Sequence, residues 1–122
     1  MIDSNFLKIN KTNKLNVSRE TFNELEAYTN SIILRNKSLN LIGKSTENSI
    51  KQRHILDSAQ TIDFIDKKDI KICTDLGSGA GLPGIVLGIL MKSKNPLFKV
   101  IFYERSYHKS NFINEMSKKF NL

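Results

Sequence analysis

The segment Asp75-Leu76-Gly77-Ser78-Gly79-Ala80-Gly81 sets three glycines at alternate positions behind a carboxylate. A chain that turns sharply from a strand into a helix needs backbone angles that a β-carbon disfavours. Main chain that must lie against a ligand also needs side chains out of the way. Glu104 directly follows the next apolar run, Phe98 to Tyr103. A carboxylate there can accept hydrogen bonds from both hydroxyls of a ribose. Open parallel sheets bind ligands beyond the carboxyl ends of their strands, where the loop and Glu104 would both fall. The pattern points to a ligand that contains a nucleoside; a glycine turn that holds nothing is the competing reading.

Two cofactor classes use the same residues. Gly79-Ala80-Gly81-Leu82-Pro83-Gly84 matches the G-x-G-x-x-G fingerprint of dinucleotide binding, with Glu104 near the spacing expected of its acid. That reading, a dinucleotide-dependent oxidoreductase, expects the first strand to run through Ser78. The apolar run instead ends at Leu76, which makes Gly77 the first glycine of the turn. Counted from there, the pattern is acid-x-Gly-x-Gly-x-Gly, and it resembles the first motif of class I methyltransferases. The ligand is then S-adenosyl-L-methionine. Charge agrees with this register, because a carboxylate at the strand tip repels a pyrophosphate. S-adenosylmethionine has no phosphate, and Asp75 favours its ammonium and sulfonium, directly or through water.

The elements that must position these groups follow from spacing. Residues 1–68 read as a helical region and 69–122 as strand, glycine loop, helix, strand, helix, the two forming one structural domain. Ser18 is an N-cap candidate, and Phe22, Leu25, Ile32 and Ile33 recur at helical spacing behind it. Asn36 to Gly43 carries turn chemistry. Ser45 or Thr46 is a second cap candidate, with Glu47 in its first turn and the stripe Ile55, Ala59, Ile62 further along. Ile70 to Leu76 and Phe98 to Tyr103 read as buried parallel strands. Between them, Pro83 suits a first helical turn, and Ile85, Val86, Ile89 and Leu90 fit one face. Ser106 caps a last helix with Phe112, Ile113, Met116 and Phe120 on its buried side. Strand-helix-strand of this length is a βαβ unit, so the fold class is α/β.

Composition bounds the rest. The chain has 122 residues, with 19 Lys and Arg against 12 Asp and Glu, a net charge of +7. A basic balance suits an anionic partner such as RNA, although the lysines are spread from Lys8 to Lys119. That charge and the short length also admit a non-catalytic RNA-binding fragment. No apolar run is long enough to span a bilayer, and Met1 to Phe6 does not start a secretion signal. Cys73 is the sole cysteine, which suits a reduced, cytoplasmic location and a core role rather than a nucleophile. With two histidines and one cysteine, no metal site is expected. Nothing argues against a monomer.

Two further segments carry a more specific resemblance. Asn40-Leu41-Ile42 with Arg53-His54-Ile55-Leu56-Asp57-Ser58 is similar to the Asn-Leu-Thr and Arg-His-x-x-Asp-Ser segments of the ribosomal small subunit methyltransferase G family, also called glucose-inhibited division protein B. Asp75 to Ile85 is similar to that family's Asp-Val-Gly-Ser-Gly-Ala-Gly-Phe-Pro-Gly-Ile, and the Pro-Gly pair is the more specific part. Ile42 and Leu82 depart from the family's Thr and Phe. The resemblance runs from about Leu34 to Leu122 and implies a class I, Rossmann-like methyltransferase fold, here incomplete and preceded by helices. It implies methyl transfer from S-adenosylmethionine to N7 of a guanine in 16S ribosomal RNA. The cofactor-binding residues are then Asp75, Gly77, Ser78, Gly79, Gly81, Leu82 and Glu104. Guanine N7 already exposes a lone pair, so no catalytic side chain is expected. Arg53, His54 and Asp57 have two readings: an ordinary helix face with an Arg53–Asp57 ion pair, or the border of the cofactor or RNA pocket.

Overall fold

The first helix starts where the sequence supplies its cap. In the computed structural model, which describes residues 17–65 and 69–122, the Ser18 hydroxyl accepts the Thr21 amide at 3.1 Å. The remainder of the helical region 1–68, Lys8 included, lies outside the described residues. Helix α1 spans Arg19–Arg35 and buries Thr21, Leu25, Tyr28, Thr29 and Ile32. Leu25 and Ile32 lie on the expected stripe, and Phe22 packs at its margin. Ile33 does not belong to it and is exposed. One step past Ile32 turns a side chain by about 100°, out of the buried face.

The turn after α1 is built on Asn36, which is itself buried. Its Oδ1 accepts the amides of Leu41 at 2.8 Å and Ile42 at 3.1 Å, and its Nδ2 donates to Glu47. Side-chain bonds of this kind offer the backbone an alternative to continuing the helix. Leu41 and Ile42 are thereby delivered to the core. A helical path of changing pitch follows: 3-10 over Lys44–Ser49, π over Lys51–Leu56, helix α2 over Asp57–Gln60, and 3-10 over Thr61–Phe64. No side chain caps its start, contrary to the expectation for Ser45 or Thr46. The Thr46 hydroxyl donates to the Gly43 carbonyl at 2.7 Å instead. Ile55, Ala59 and Ile62 are buried together, as their spacing requires.

Strand β1 is Ile72–Leu76 and strand β2 is Lys99–Tyr103. They pair in parallel, with Ile72 opposite Lys99 and Leu76 opposite Tyr103. Helix α3, Gly84–Met91, makes the crossover, and helix α4, Tyr107–Lys119, follows β2. Both strands start later than the apolar runs do, and neither is buried on two faces. Asp75, Val100 and Phe102 lie toward α3, while Ile72, Leu76, Ile101 and Tyr103 are exposed. Among the described residues the helices cover one side of this two-stranded sheet. None of those helices is long and apolar enough to cross a membrane.

Helix α3 is the centre of the molecule. All eight of its residues are buried, not just the four expected on one face. It is packed by α1, α2, the Thr61–Phe64 turn, α4 and both strands, and a helix surrounded in this way is apolar all round. Pro83 stands just ahead of its first turn, after a cis peptide bond. The α4 cap is Ser106, whose hydroxyl accepts the Lys109 amide at 3.4 Å. Phe112, Ile113, Met116 and Phe120 close the core, which draws residues from both sequence regions. Lys92, at the end of α3, donates to Glu24 of α1 and to the Phe120 carbonyl, tying three helices together.

Asn36→Ala is expected to leave the Leu41 and Ile42 amides without their acceptor and to lower stability by about 1–3 kcal/mol. Urea unfolding checks this: the midpoint should fall while the slope stays that of the parent. An unshifted midpoint removes Asn36 from the role.

Candidate functional site

Strand β1 stops at Leu76, and the loop leaves it by clasping the end of β2. The amides of Gly77 and Ser78 donate to the Tyr103 carbonyl at 2.8 and 3.1 Å. The continuation of β1 through Ser78 that a dinucleotide fingerprint expects does not occur. Ser78 is buried, and its hydroxyl donates to the Asp75 carbonyl at 2.9 Å, so its side chain braces the loop from within. Its own carbonyl accepts the amides of Gly81 at 2.8 Å and Leu82 at 3.1 Å. Leu82 is half-buried against the core.

The glycines are required for two different reasons. Gly77 and Gly79 have φ of +67° and +58°, and a β-carbon on either would meet no atom of the described residues within 4 Å. They face open space, bare main chain at the strand tip. Gly81 and Gly84 face inward. A β-carbon on Gly81 would strike Ile85 and stand 3.3 Å from the Tyr28 hydroxyl. One on Gly84 would strike Phe102 and come within 2.8 Å of an Asp75 oxygen.

Glu104 meets this loop as the sequence expects. Its Oε2 accepts the Gly79 amide at 2.7 Å and its Oε1 accepts the Ser106 amide at 3.1 Å. The Ser106 amide first, then that of Gly79, hold its carboxyl below the usual carboxylate range. An ionised carboxylate has about four acceptor positions, so acceptor capacity remains beyond these amides. Asp75 is placed differently: it is buried, and its Oδ2 accepts the Gly84 amide at 3.1 Å. It caps the start of α3, where a negative charge is favourable. Burial raises its pKa, the Gly84 and Ser78 bonds oppose the rise, and the Glu104 charge adds to it.

Sequence reasoning missed Tyr28. Its hydroxyl donates to the Ala80 carbonyl at 2.8 Å, across 52 positions of sequence. A signal existed, for Tyr28 falls on the buried stripe between Leu25 and Ile32, and a buried phenol needs a hydrogen-bond partner. Which partner was not readable from α1 alone.

Arg53 and Asp57 are exposed and His54 is half-buried. The His54 Nε2 lies 2.9 Å from the Thr46 hydroxyl, and its pKa is lowered, first by burial. The expected Arg53–Asp57 ion pair is not formed; ion pairs among the described residues join Arg35 to Glu115 and Lys92 to Glu24. No hydrogen bond links the three residues to the glycine loop. The Cys73 thiol is half-buried and its pKa is raised, by burial first and then by Asp75, which keeps it un-ionised.

Residues 21–122 match the family model described as GidB, rRNA small subunit methyltransferase G. Among curated proteins, the chain is 42% identical over 109 residues to the ribosomal RNA small subunit methyltransferase G of Pelagibacter ubique, covering 88% of this chain and 51% of that protein. It is 41% identical over 113 residues to the protein of that name from Orientia tsutsugamushi (strain Ikeda), covering 93% and 52%. With the one from Cereibacter sphaeroides (strain ATCC 17025) it shares 41% identity over 104 residues, covering 85% and 50%. The chain thus spans about half the length of these relatives.

Two outcomes follow from the site's geometry. Gly84→Ala overpacks the junction of α3 and the sheet and should cost about 1–3 kcal/mol, read as a lower urea midpoint. The Glu104 carboxyl, held below its ordinary 4.5, stabilises the folded chain above that pH, and the benefit is lost as pH falls through the lowered value. Glu104→Gln should therefore melt below the parent at neutral pH and converge with it in acid. Asp75, raised from 3.8, has the opposite slope, but it is present in both proteins and largely cancels from the difference. A gap that stays constant across the acid range contradicts the assignment.

Proposed function

This chain belongs to the rRNA small subunit methyltransferase G family, and on that premise we propose that it carries the cofactor seat of a class I, Rossmann-like methyltransferase. The reaction is methyl transfer from S-adenosyl-L-methionine to N7 of a guanine in 16S ribosomal RNA, in the cytoplasm. The observation that carries the proposal is the open space over Gly77 and Gly79, bordered by a carboxylate already bonded to the Gly79 amide.

The residues suit the group. Among the described residues, no atom lies within 4 Å of where a β-carbon on Gly77 or Gly79 would stand, which leaves room beside that main chain. Glu104 has acceptor capacity left for ribose hydroxyls. Asp75 stands behind the loop as a buried negative charge that favours a cationic ligand. Leu82 offers an apolar contact, and Ser78 and Gly81 keep the loop in shape. When bound, S-adenosylmethionine supplies an electrophilic methyl group on a sulfonium leaving group. The chain's own task is placement, since guanine N7 presents its lone pair without loss of a proton. Holding reactants in line supplies most of the acceleration such a transfer needs. The net charge of +7 suits the RNA.

Calorimetry with S-adenosylhomocysteine and with NADH tests the cofactor class. Binding of the former and not the latter is expected, and binding of NADH alone ends the reading. Gly79→Val should abolish S-adenosylhomocysteine binding, because its side chain projects into the open space and a β-branched residue is strained at φ +58°. Glu104→Ala should weaken it by about 1–3 kcal/mol through lost hydrogen bonds to a charged acceptor. Undiminished affinity in the Glu104 variant removes that residue from the site.

A further inference from the structure

Beyond the Gly77 amide at its start, the glycine loop is held through Ser78, Gly79 and Ala80. Ser78 ties it to the ends of both strands, since its amide donates to the Tyr103 carbonyl and its hydroxyl to that of Asp75. The Gly79 amide is held by Glu104. The third tie comes from the helical region, where the Tyr28 hydroxyl donates to the Ala80 carbonyl at 2.8 Å. The first two lie at the strand tips, beside the turn itself. The third comes from outside it, reaching in from a helix that precedes both strands.

We propose that Tyr28 is a positioning residue for the cofactor loop, setting the Ala80–Gly81 peptide from beneath so that Gly79 and Glu104 keep the arrangement a ligand meets. This rests on the cofactor reading above. The phenol is fully buried, and its ring stands edge-on to Phe120 with centroids 6.3 Å apart. Its oxygen occupies the side of Gly81 where a β-carbon would stand 3.3 Å away. Ala80 is buried too, so without the phenol its carbonyl has no water to turn to. The cheapest relief is rotation of the Ala80–Gly81 peptide, and Gly81, at φ +96°, offers little side-chain resistance to it. Such a rotation shifts the Gly79–Leu82 turn that faces the ligand space. Burial, then the Asp75 charge, raises the phenol's pKa well above 10, so it stays a donor at working pH. A tied loop enters binding already ordered, and the ordering cost is met in the free protein.

Tyr28→Phe removes the donor and keeps the ring. Amide hydrogen exchange by NMR should show the Gly81 and Leu82 amides exchanging about tenfold faster than in the parent, beyond any change in the β1–β2 ladder. Affinity for S-adenosylhomocysteine should fall about tenfold under conditions where both proteins are fully folded. Phe120→Leu is the control for a merely structural role: it removes the ring partner, should lower stability, and should leave loop exchange and affinity near the parent's. Unchanged loop exchange in Tyr28→Phe overturns the proposal, as does faster exchange with unchanged affinity. Equal losses of affinity in both variants overturn it as well. A parent that binds no S-adenosylhomocysteine sinks the cofactor reading instead, and the exchange measurement then decides alone whether Tyr28 orders the loop.

Discussion

The buried Asp75 carboxylate and the Gly84 amide, 3.1 Å apart, form the contact on which the molecule's arrangement depends. It joins the end of β1 to the first turn of α3, and it forms only because Gly84 has no side chain to hold helix and sheet apart. Closing that distance brings α3 down onto Val100 and Phe102, and α3 is the element against which nearly everything else packs. The same closure makes a short ring of the residues between, so the glycine loop has its shape imposed at both ends.

Within that ring the glycines divide into an inner pair and an outer pair. Gly81 and Gly84 serve density, admitting Ile85, Tyr28, Phe102 and Asp75 into space a β-carbon would fill. Gly77 and Gly79 border open space among the described residues, with main chain at a backbone angle that L residues resist. A spacing pattern in sequence treats all four alike. The physical roles are opposite, one excluding space and the other keeping it open.

The two strand-tip carboxylates also diverge. Amides hold the Glu104 carboxyl below the ordinary carboxylate range, whereas burial raises that of Asp75 against the opposing Gly84 and Ser78 bonds, with the Glu104 charge adding to the rise. A cation near the two strand tips lowers the repulsion between these carboxylates, and a phosphate there adds to it. On the proposed reading this separates two kinds of recognition: a locally anionic seat for a sulfonium cofactor within a chain whose net charge of +7 suits RNA.

Features that neighbouring residues settle among themselves were legible in the residue order alone. Ser18 and Ser106 cap α1 and α4, because a cap bond reaches only three residues. The end of β1 at Leu76 and the turn through Gly77 follow from side-chain size along a few positions. The buried stripes Ile55, Ala59, Ile62 and Phe112, Ile113, Met116 follow from helical period. Tertiary structure decided what depends on which surfaces meet. Periodicity announces that a face is covered but not by what, so the burial of α3 on every side and the exposed side of the sheet were not legible. The inward turn of Asp75 needed the closeness of Gly84, and the partner of Tyr28 lay 52 residues away. A hydrogen bond between residues so far apart in the chain has no local signature, since its energy exists only once packing has brought donor and acceptor together and removed the water from both.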